Sequence, residues 1–261
     1  MTEPVPGAGS GAGADVAATQ PLLTPPRPMP WLAARVVAVR PETPTARTLR
    51  LALPRPVPFL AGQHLVVRLT APDGYTAQRS YSIASAPDGT AEVELTVERL
   101  PDGEVSSFLC DVVEPGDELE VRGPIGGWFV WRGDVPALLV GAGSGVVPLM
   151  SMLRFARRTG REDLLRVLVS VRRPADLYYD GELQGPVTTV AYTRAAPEDP
   201  AAAAGRAVGR LTAADVAPLL RDGATAYVCG SPGFADTATD LLMAAGVASS
   251  AIRVERFGPT G

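Results

Sequence analysis

The sequence predicts a two-domain protein, an antiparallel β-barrel followed by an α/β domain on a parallel sheet. Three observations predict it. Between Trp31 and Arg132 the apolar residues recur with period two. From Ala137 onward, short continuous apolar runs alternate with helical stretches. The chain has 261 residues, of which 46% are hydrophobic, enough for two ordinary domains with real cores.

The elements follow in order. Met1 to Pro30 is rich in Ala, Gly and Pro and nearly free of aromatic residues. Such a stretch cannot bury enough apolar surface to offset its ordering entropy, so it is expected to be a disordered tail. It has no basic start followed by an apolar run and does not read as a signal peptide. In "EVELTVERL", Glu92 to Leu100, alternation places Val93, Leu95 and Val97 on one face. "QHLVVRLT" and "DELEVRG" behave similarly, and "PDG" turns at Pro72–Gly74 and Pro87–Gly89 separate such runs. A helix is expected from Glu104 to about Val113. The first domain spans 31–132 and the second 133–261. Within the second, "ALLVGAG", "LRVLVSV", "VTTVAY", "TAYVCG" and "IRVERF" are the expected strands.

Composition narrows the function. The net charge is −4 with mixed signs, and no basic stripe suggests nucleic acid. The only cysteines are Cys110 and Cys229, too few for a four-thiolate iron–sulfur cluster or a disulfide framework. A reducing cytoplasmic setting is expected. The single histidine, His64, argues against a histidine-based metal site or triad, and no metal is expected. Pro136 to Leu153 carries no charge, but its three glycines and two prolines fit a strand, a loop and a helix better than a membrane span.

Three segments carry chemistry. In "VGAGSGVVPLMSML", Val140 to Leu153, a buried strand runs into glycines and then a helix. Gly141, Gly143 and Gly145 would let a phosphate approach the backbone, and the helix N-terminus would supply free N–H groups. Pro148 stands where a dinucleotide fingerprint has its third glycine, so a tight turn without a ligand is also open. In "GEVSSFL", Gly103 to Leu109, serine hydroxyls lie beside free amides at a helix start, which fits either an anion site or plain capping. In "RSYSIAS", Arg79 to Ser85, a guanidinium suited to a diphosphate, an aromatic ring and hydroxyls share one strand. Alone, that strand also fits an exposed edge.

Their order is more specific than any one of them. Arg-x-Tyr-Ser is followed by Gly-x-x-Ser-Ser, then Gly-Pro-x-Gly (Gly123 to Gly126), then the Gly-rich loop ending in Pro148. Cys-Gly-Ser-Pro (Cys229 to Pro232) and a closing Glu-Arg-Phe complete the series. From Trp31 to Gly261 the chain resembles the ferredoxin–NADP reductase superfamily. The resemblance implies a barrel that binds FAD, with FMN second, and an α/β domain that binds NADPH or NADH. It implies flavin contacts from Arg79, Ser80, Tyr81, Ser82, Ile83, Ala84 and Ser85, with Ser82 close to the hydride acceptor. Gly103, Val105, Ser106 and Ser107 would cradle the flavin diphosphate. Gly141, Gly143, Ser144, Gly145 and Pro148 would face the nicotinamide dinucleotide, and Cys229, Gly230 and Pro232 would flank the nicotinamide. Glu255 matches the family's active-site acid and Phe257 its terminal aromatic. "GPTG" follows Phe257, so stacking of that ring on the flavin stays open.

Two arginine groups bear on the choice of nucleotide. Arg172 and Arg173 follow the second strand of the α/β domain. Thr193 and Arg194 follow the third, resembling a pair that binds a 2′-phosphate, and Arg210 could add to it. They favour NADPH, and surface ion pairing is the alternative. The resulting expectation is a flavoprotein reductase that hands electrons to a separate acceptor protein, with no nucleic acid or membrane partner. A reductase of free flavin or ferric chelates and a non-catalytic redox-sensing subunit are the alternatives.

Overall fold

The structure is a computed structural model that describes residues 1–2, 29–195, 197–198 and 206–258. The expected tail falls, from residue 3 to residue 28, outside the described residues, as does the end of "GPTG" beyond Gly258.

Six strands and one helix form the first domain. They are β1 (Leu32–Thr43), β2 (Ala46–Ala52), β3 (His64–Thr70), β4 (Thr76–Ser82), β5 (Glu92–Glu98), α1 (Glu104–Asp111) and β6 (Glu118–Ile125). The antiparallel sheet runs β4-β3-β6-β1-β2-β5, and a bridge between Ile83 and Leu95 brings its two edges together. Alternation sets the interior: Leu49 and Leu51, Leu65 and Val67, Val93, Leu95 and Val97 all point inward. Burying a side chain of this size contributes about 1.5–3 kcal/mol. The helix α1 adds Val105 and Leu109 to the same core.

The second domain holds β7 (Ala137–Ala142), α2 (Val146–Thr159), β8 (Leu165–Val171), β9 (Thr188–Tyr192), α3 (Ala213–Val216), β10 (Thr225–Gly230), α4 (Pro232–Ala244) and β11 (Ile252–Arg256). All pairings are parallel, in the order β11-β10-β7-β8-β9. Both faces are covered, which explains the unbroken apolar runs. On β7, Ala137 and Leu139 pack with α2 in one cluster, while Leu138 and Val140 pack with Ala235, Ala238 and Leu242 of α4 in another. The chain leaves β7 toward β8 on one side and returns to β10 on the other. In such sheets the crevice at the carboxyl ends of the two strands flanking this reversal is where ligands bind.

The segment joining the domains runs from Ile125 to Ala137, and the boundary expected at 132/133 lies within it. The barrel keeps a main core of its own, but a second apolar cluster crosses that boundary. Ala46, Ala61 and Ala84 of the barrel join Phe129, Trp131 and the buried face of α2 in one cluster.

A candidate active site at the domain cleft

The barrel side of the site is strand β4. Its register with β3 places Ser82 opposite His64, Ser80 opposite Val66 and Arg79 opposite Val67. Alternation therefore sends Ser80 and Ser82 to one face and Arg79 and Tyr81 to the other. Arg79 is exposed, with one guanidinium N–H on the carbonyl of Gln78 at 2.8 Å. Burial pushes the Tyr81 phenol well above its ordinary value. Its ring packs on the barrel core.

Ser80, Ser82 and His64 line a cavity of about 230 Å³ together with Glu255, Arg256 and Phe257 from the far end of the chain. Glu255 and Phe257 come from β11 and the residues after it. The amide of Phe257 donates to the carbonyl of Gly230 at 2.8 Å, which extends the β10–β11 pairing and fixes the residue where it lines the cavity. Burial pushes the Glu255 carboxyl up to about 7. Burial also lowers the His64 imidazole, so both groups tend toward their neutral forms. Cys229 does not line this cavity. It lies behind it, fully buried, in register with Glu255 on one side and Gly141 on the other. Burial and then the neighbouring Glu255 raise its thiol well above the usual range.

The nucleotide side is the loop from β7 to α2. Gly145 is packed so closely on β10 that a Cβ there would stand 2.3 Å from the carbonyl oxygen of Cys229. Gly143 has φ +54° and open space where a side chain would be. No side chain caps α2, and the Val146 amide already donates to the carbonyls of Gly143 and Ser144, so an anion above that open loop would meet the amides of the Gly143–Gly145 turn. Ser144 is half-buried beside it. Pro148 is buried in the first turn and has no N–H to offer, so it shapes the loop. Gly230 is buried against Phe234, and the exposed Pro232 opens α4.

The second anion candidate has a different character. Gly103 caps α1 without a side-chain bond, which leaves amides free. The Ser106 hydroxyl turns inward, donating to Gly103 at 3.1 Å and accepting from the amide of Leu100 at 3.2 Å. Ser107 is half-buried. Val105, Ile83 and Ala84 have buried side chains and can meet a ligand only through their backbones. Ser85 uses its hydroxyl to accept from the amide of Glu94 at 3.1 Å.

The arginines converge in part. The amide of Arg194 donates to the carbonyl of Arg172 at 2.9 Å, and that of Thr193 to Val171 at 2.8 Å. These bonds carry the β8–β9 pairing past its last residue and set both arginines at the carboxyl edge. Arg172, Arg173, Arg194 and Arg210 are exposed, and none has an ion-pair partner among the described residues.

Two features escape a linear reading. The sequence marks His64 only as a lone histidine, yet it shares the cavity with Ser82. The signal that could have found it is the hairpin itself, which folds symmetrically about Asp73 and so sets His64 opposite Ser82. The second is a set of polar bonds between the domains, built on Tyr179 and Arg154. Tyr179 has φ +54° and is 3% exposed. Its hydroxyl donates to Thr96 at 2.5 Å and its amide to Glu42 at 3.1 Å. No local motif announces a pairing between residues so distant in the chain.

The donors fit the two groups that the sequence implied. A partly buried carboxyl and a serine border one cavity, a glycine turn without a side-chain cap borders the other strand end, and guanidinium groups without an ion-pair partner among the described residues stand at the sheet edge. Comparison with known proteins agrees. Residues 34–130 match the oxidoreductase FAD-binding domain family, and 139–240 match the oxidoreductase NAD-binding domain family. The reductase component of propane 2-monooxygenase from Rhodococcus jostii is 30% identical over 85% of this chain and 62% of its own length. A cytochrome P450 reductase from Amycolatopsis superposes with TM-score 0.73 at 28% identity, over 90% of this chain and 72% of that one. The flavohem-like FAD/NAD-binding domain of the nitric oxide dioxygenase from Vibrio cholerae shares the fold, with TM-score 0.76 at 22% identity over 87% of this chain and 99% of that one. The chain spans between 31% and 62% of the length of the curated relatives it matches. No helix among the described residues is long and apolar enough to cross a membrane. With an FAD-binding domain followed by an NAD-binding domain and the cleft between them, the chain belongs to the ferredoxin–NADP reductase superfamily.

Proposed function

We propose that the protein is a flavin-dependent oxidoreductase that takes electrons from NADPH through bound FAD and passes them to a separate acceptor protein. One observation carries the reading. Ser82 of the barrel and Glu255 and Phe257 of the α/β domain border one cavity of about 230 Å³. It lies next to the strand ends where a nucleotide would dock. When bound, the flavin supplies the chemistry that converts a two-electron hydride donor into one- or two-electron delivery.

The protein's own residues have separable tasks. Arg79 and the free amides of α1 hold the flavin diphosphate. The Ser82 hydroxyl offers a hydrogen bond inside the cavity. The Glu255 carboxyl holds a proton near neutral pH. The Cys229 thiol packs behind the nicotinamide site, and the ring of Phe257 shields the cavity from water. The open loop at Gly143 and the start of α2 hold the dinucleotide diphosphate. Arg172 and Arg194 favour a 2′-phosphate. The likeness to a monooxygenase reductase component supports an oxygenase component as the class of acceptor.

Anaerobic mixing of the purified protein with NADPH and, separately, NADH tests this through the flavin's visible absorbance. Fast bleaching with NADPH and slow bleaching with NADH is expected. Equal rates would remove the role of the arginines. A bound flavin that neither nucleotide reduces would favour a redox-sensing subunit. Loss of flavin during purification would favour a reductase of free flavin.

A further inference from the structure

The helix that starts at the nucleotide loop is also bonded to the flavin-facing segment of the barrel. Ser151, fully buried on α2, donates its hydroxyl to the carbonyl of Ser85 at 2.7 Å. One turn on, Arg154 donates to the carbonyl of Ala84 at 3.0 Å and to Glu94 of β5 at 2.8 Å. Its other N–H groups form a fork on Glu182 at 2.9 and 2.5 Å. The guanidinium lies 5.1 Å from the ring centre of Tyr179, and only 15% of the Arg154 side chain is exposed. Thus two successive carbonyls, two and three residues after Ser82, are held by the other domain.

We infer that Ser151 and Arg154 are positioning residues that set the distance between the flavin and the nicotinamide. The inference rests on the reductase reading above. A helix rises 1.5 Å per residue, so Ser151 and Arg154 lie about 9 and about 14 Å along the axis from Gly145. A helix is stiff over this length. Its first turn meets the dinucleotide and its next two turns fix Ala84 and Ser85, so it acts as a ruler between the two sites. The segment has little freedom otherwise. The Ala84 amide donates to Glu94 at 2.7 Å and the Glu94 amide to the Ser85 hydroxyl at 3.1 Å. Moving either carbonyl would carry Ser82 with it. Hydride transfer is sensitive to such movement, because a misplacement of about 1 Å can cost on the order of a hundredfold in rate.

The test uses the full flavin-loaded protein with Ser151→Ala and Arg154→Lys. Ser151→Ala removes one bond and leaves the ion cluster intact, so it keeps the fold. Arg154→Lys keeps the charge but cannot bridge Glu182, Glu94 and Ala84 with one planar fork. Three quantities are read: amide hydrogen exchange at Ile83 to Ser85, the rate of flavin reduction by excess nucleotide, and its primary deuterium isotope effect at several temperatures. Faster exchange in the segment, a rate about ten- to a hundredfold lower and a steeper temperature dependence of the isotope effect are expected. Faster exchange with an unchanged rate and isotope effect would make the contacts merely structural and overturn the inference. So would unchanged exchange in both variants. A parent protein that neither nucleotide reduces would remove the reductase reading, and this inference with it.

Discussion

Cys229 and Glu255 stand directly opposite each other on β10 and β11, the thiol fully buried and the carboxyl at the edge of the cavity. Burial disfavours the charge of both, and Glu255 further disfavours the thiolate of Cys229. The pair is therefore neutral over most of the range below neutral pH. Cys229→Ala or Glu255→Ala is expected to slow flavin reduction while leaving flavin content within a few per cent of the parent. Single-turnover reduction at the parent's rate in both variants would remove their assigned roles.

The same carboxyl gives a signed pH dependence of stability. Glu255 is raised from 4.5 to about 7, so the folded state binds more proton than the unfolded state in that window. Its contribution is fully present below 4.5 and is lost as pH rises toward 7. Glu255→Gln cannot titrate. The Tm of the variant relative to the parent should therefore climb between pH 5 and pH 8. His64 has the opposite sign, since its lowered imidazole pKa makes its contribution fall away as pH drops below 6.5. A difference in Tm that stays flat across this range would show that Glu255 titrates normally.

Gly145→Ala tests the packing of the nucleotide loop. The new Cβ would stand 2.3 Å from one backbone oxygen and 2.5 Å from the amide nitrogen of Gly230. Neither atom belongs to a flexible side chain, so the loop or β10 must move. A fall in nucleotide affinity and a stability loss of about 1–3 kcal/mol are expected by titration and urea unfolding. Gly143→Ala has open space around it but needs a positive φ, and it should cost about 1 kcal/mol from the backbone alone.

The arginines at the sheet edge should discriminate between nucleotides. Arg172→Ala and Arg194→Ala are expected to raise KM for NADPH by roughly ten- to a hundredfold, the worth of a charge-assisted phosphate contact. KM for NADH should change by less than about twofold. Equal effects on both nucleotides would assign the pair to general electrostatics.

Tyr179→Phe probes the bonds between the domains. The change removes the hydrogen bond to Thr96, a hydroxyl that also lies 2.7 Å from Thr48. Because Thr96 keeps that second partner, the loss should stay near 1 kcal/mol by urea unfolding. A loss above about 3 kcal/mol would mean that the strained backbone at Tyr179 relaxes into a different interface.

Periodicity made the barrel and the parallel sheet readable, because each strand repeats its burial with its own period. Val93, Leu95 and Val97 show it, and so do the two faces of β7. Thr96 shows the limit. It falls on the outward face of β5, yet it is 4% exposed because Tyr179 of the second domain covers it. Motif order is the only signal in the sequence that links residues so far apart, and Ser82, Glu255 and Phe257 line one cavity. Other details have no such signal. The inward turn of Ser106 depends on the carbonyl of Gly103, and the place of Cys229 between Gly141 and Glu255 depends on β10 pairing with both β7 and β11. Long-range pairing and close backbone approach leave no local period to read.

The apolar cluster that spans the two domains has a consequence for recombination. Ala46, Ala61 and Ala84 of the barrel are sealed by Trp131, Phe129 and α2. A chimera spliced at the linker would bring a foreign helix against these small residues and against the carbonyls that Ser151 and Arg154 hold. The barrel can therefore exchange its α/β partner only when the interface residues of α2 and the Tyr179 loop travel with it, so the unit of inheritance is larger than either domain.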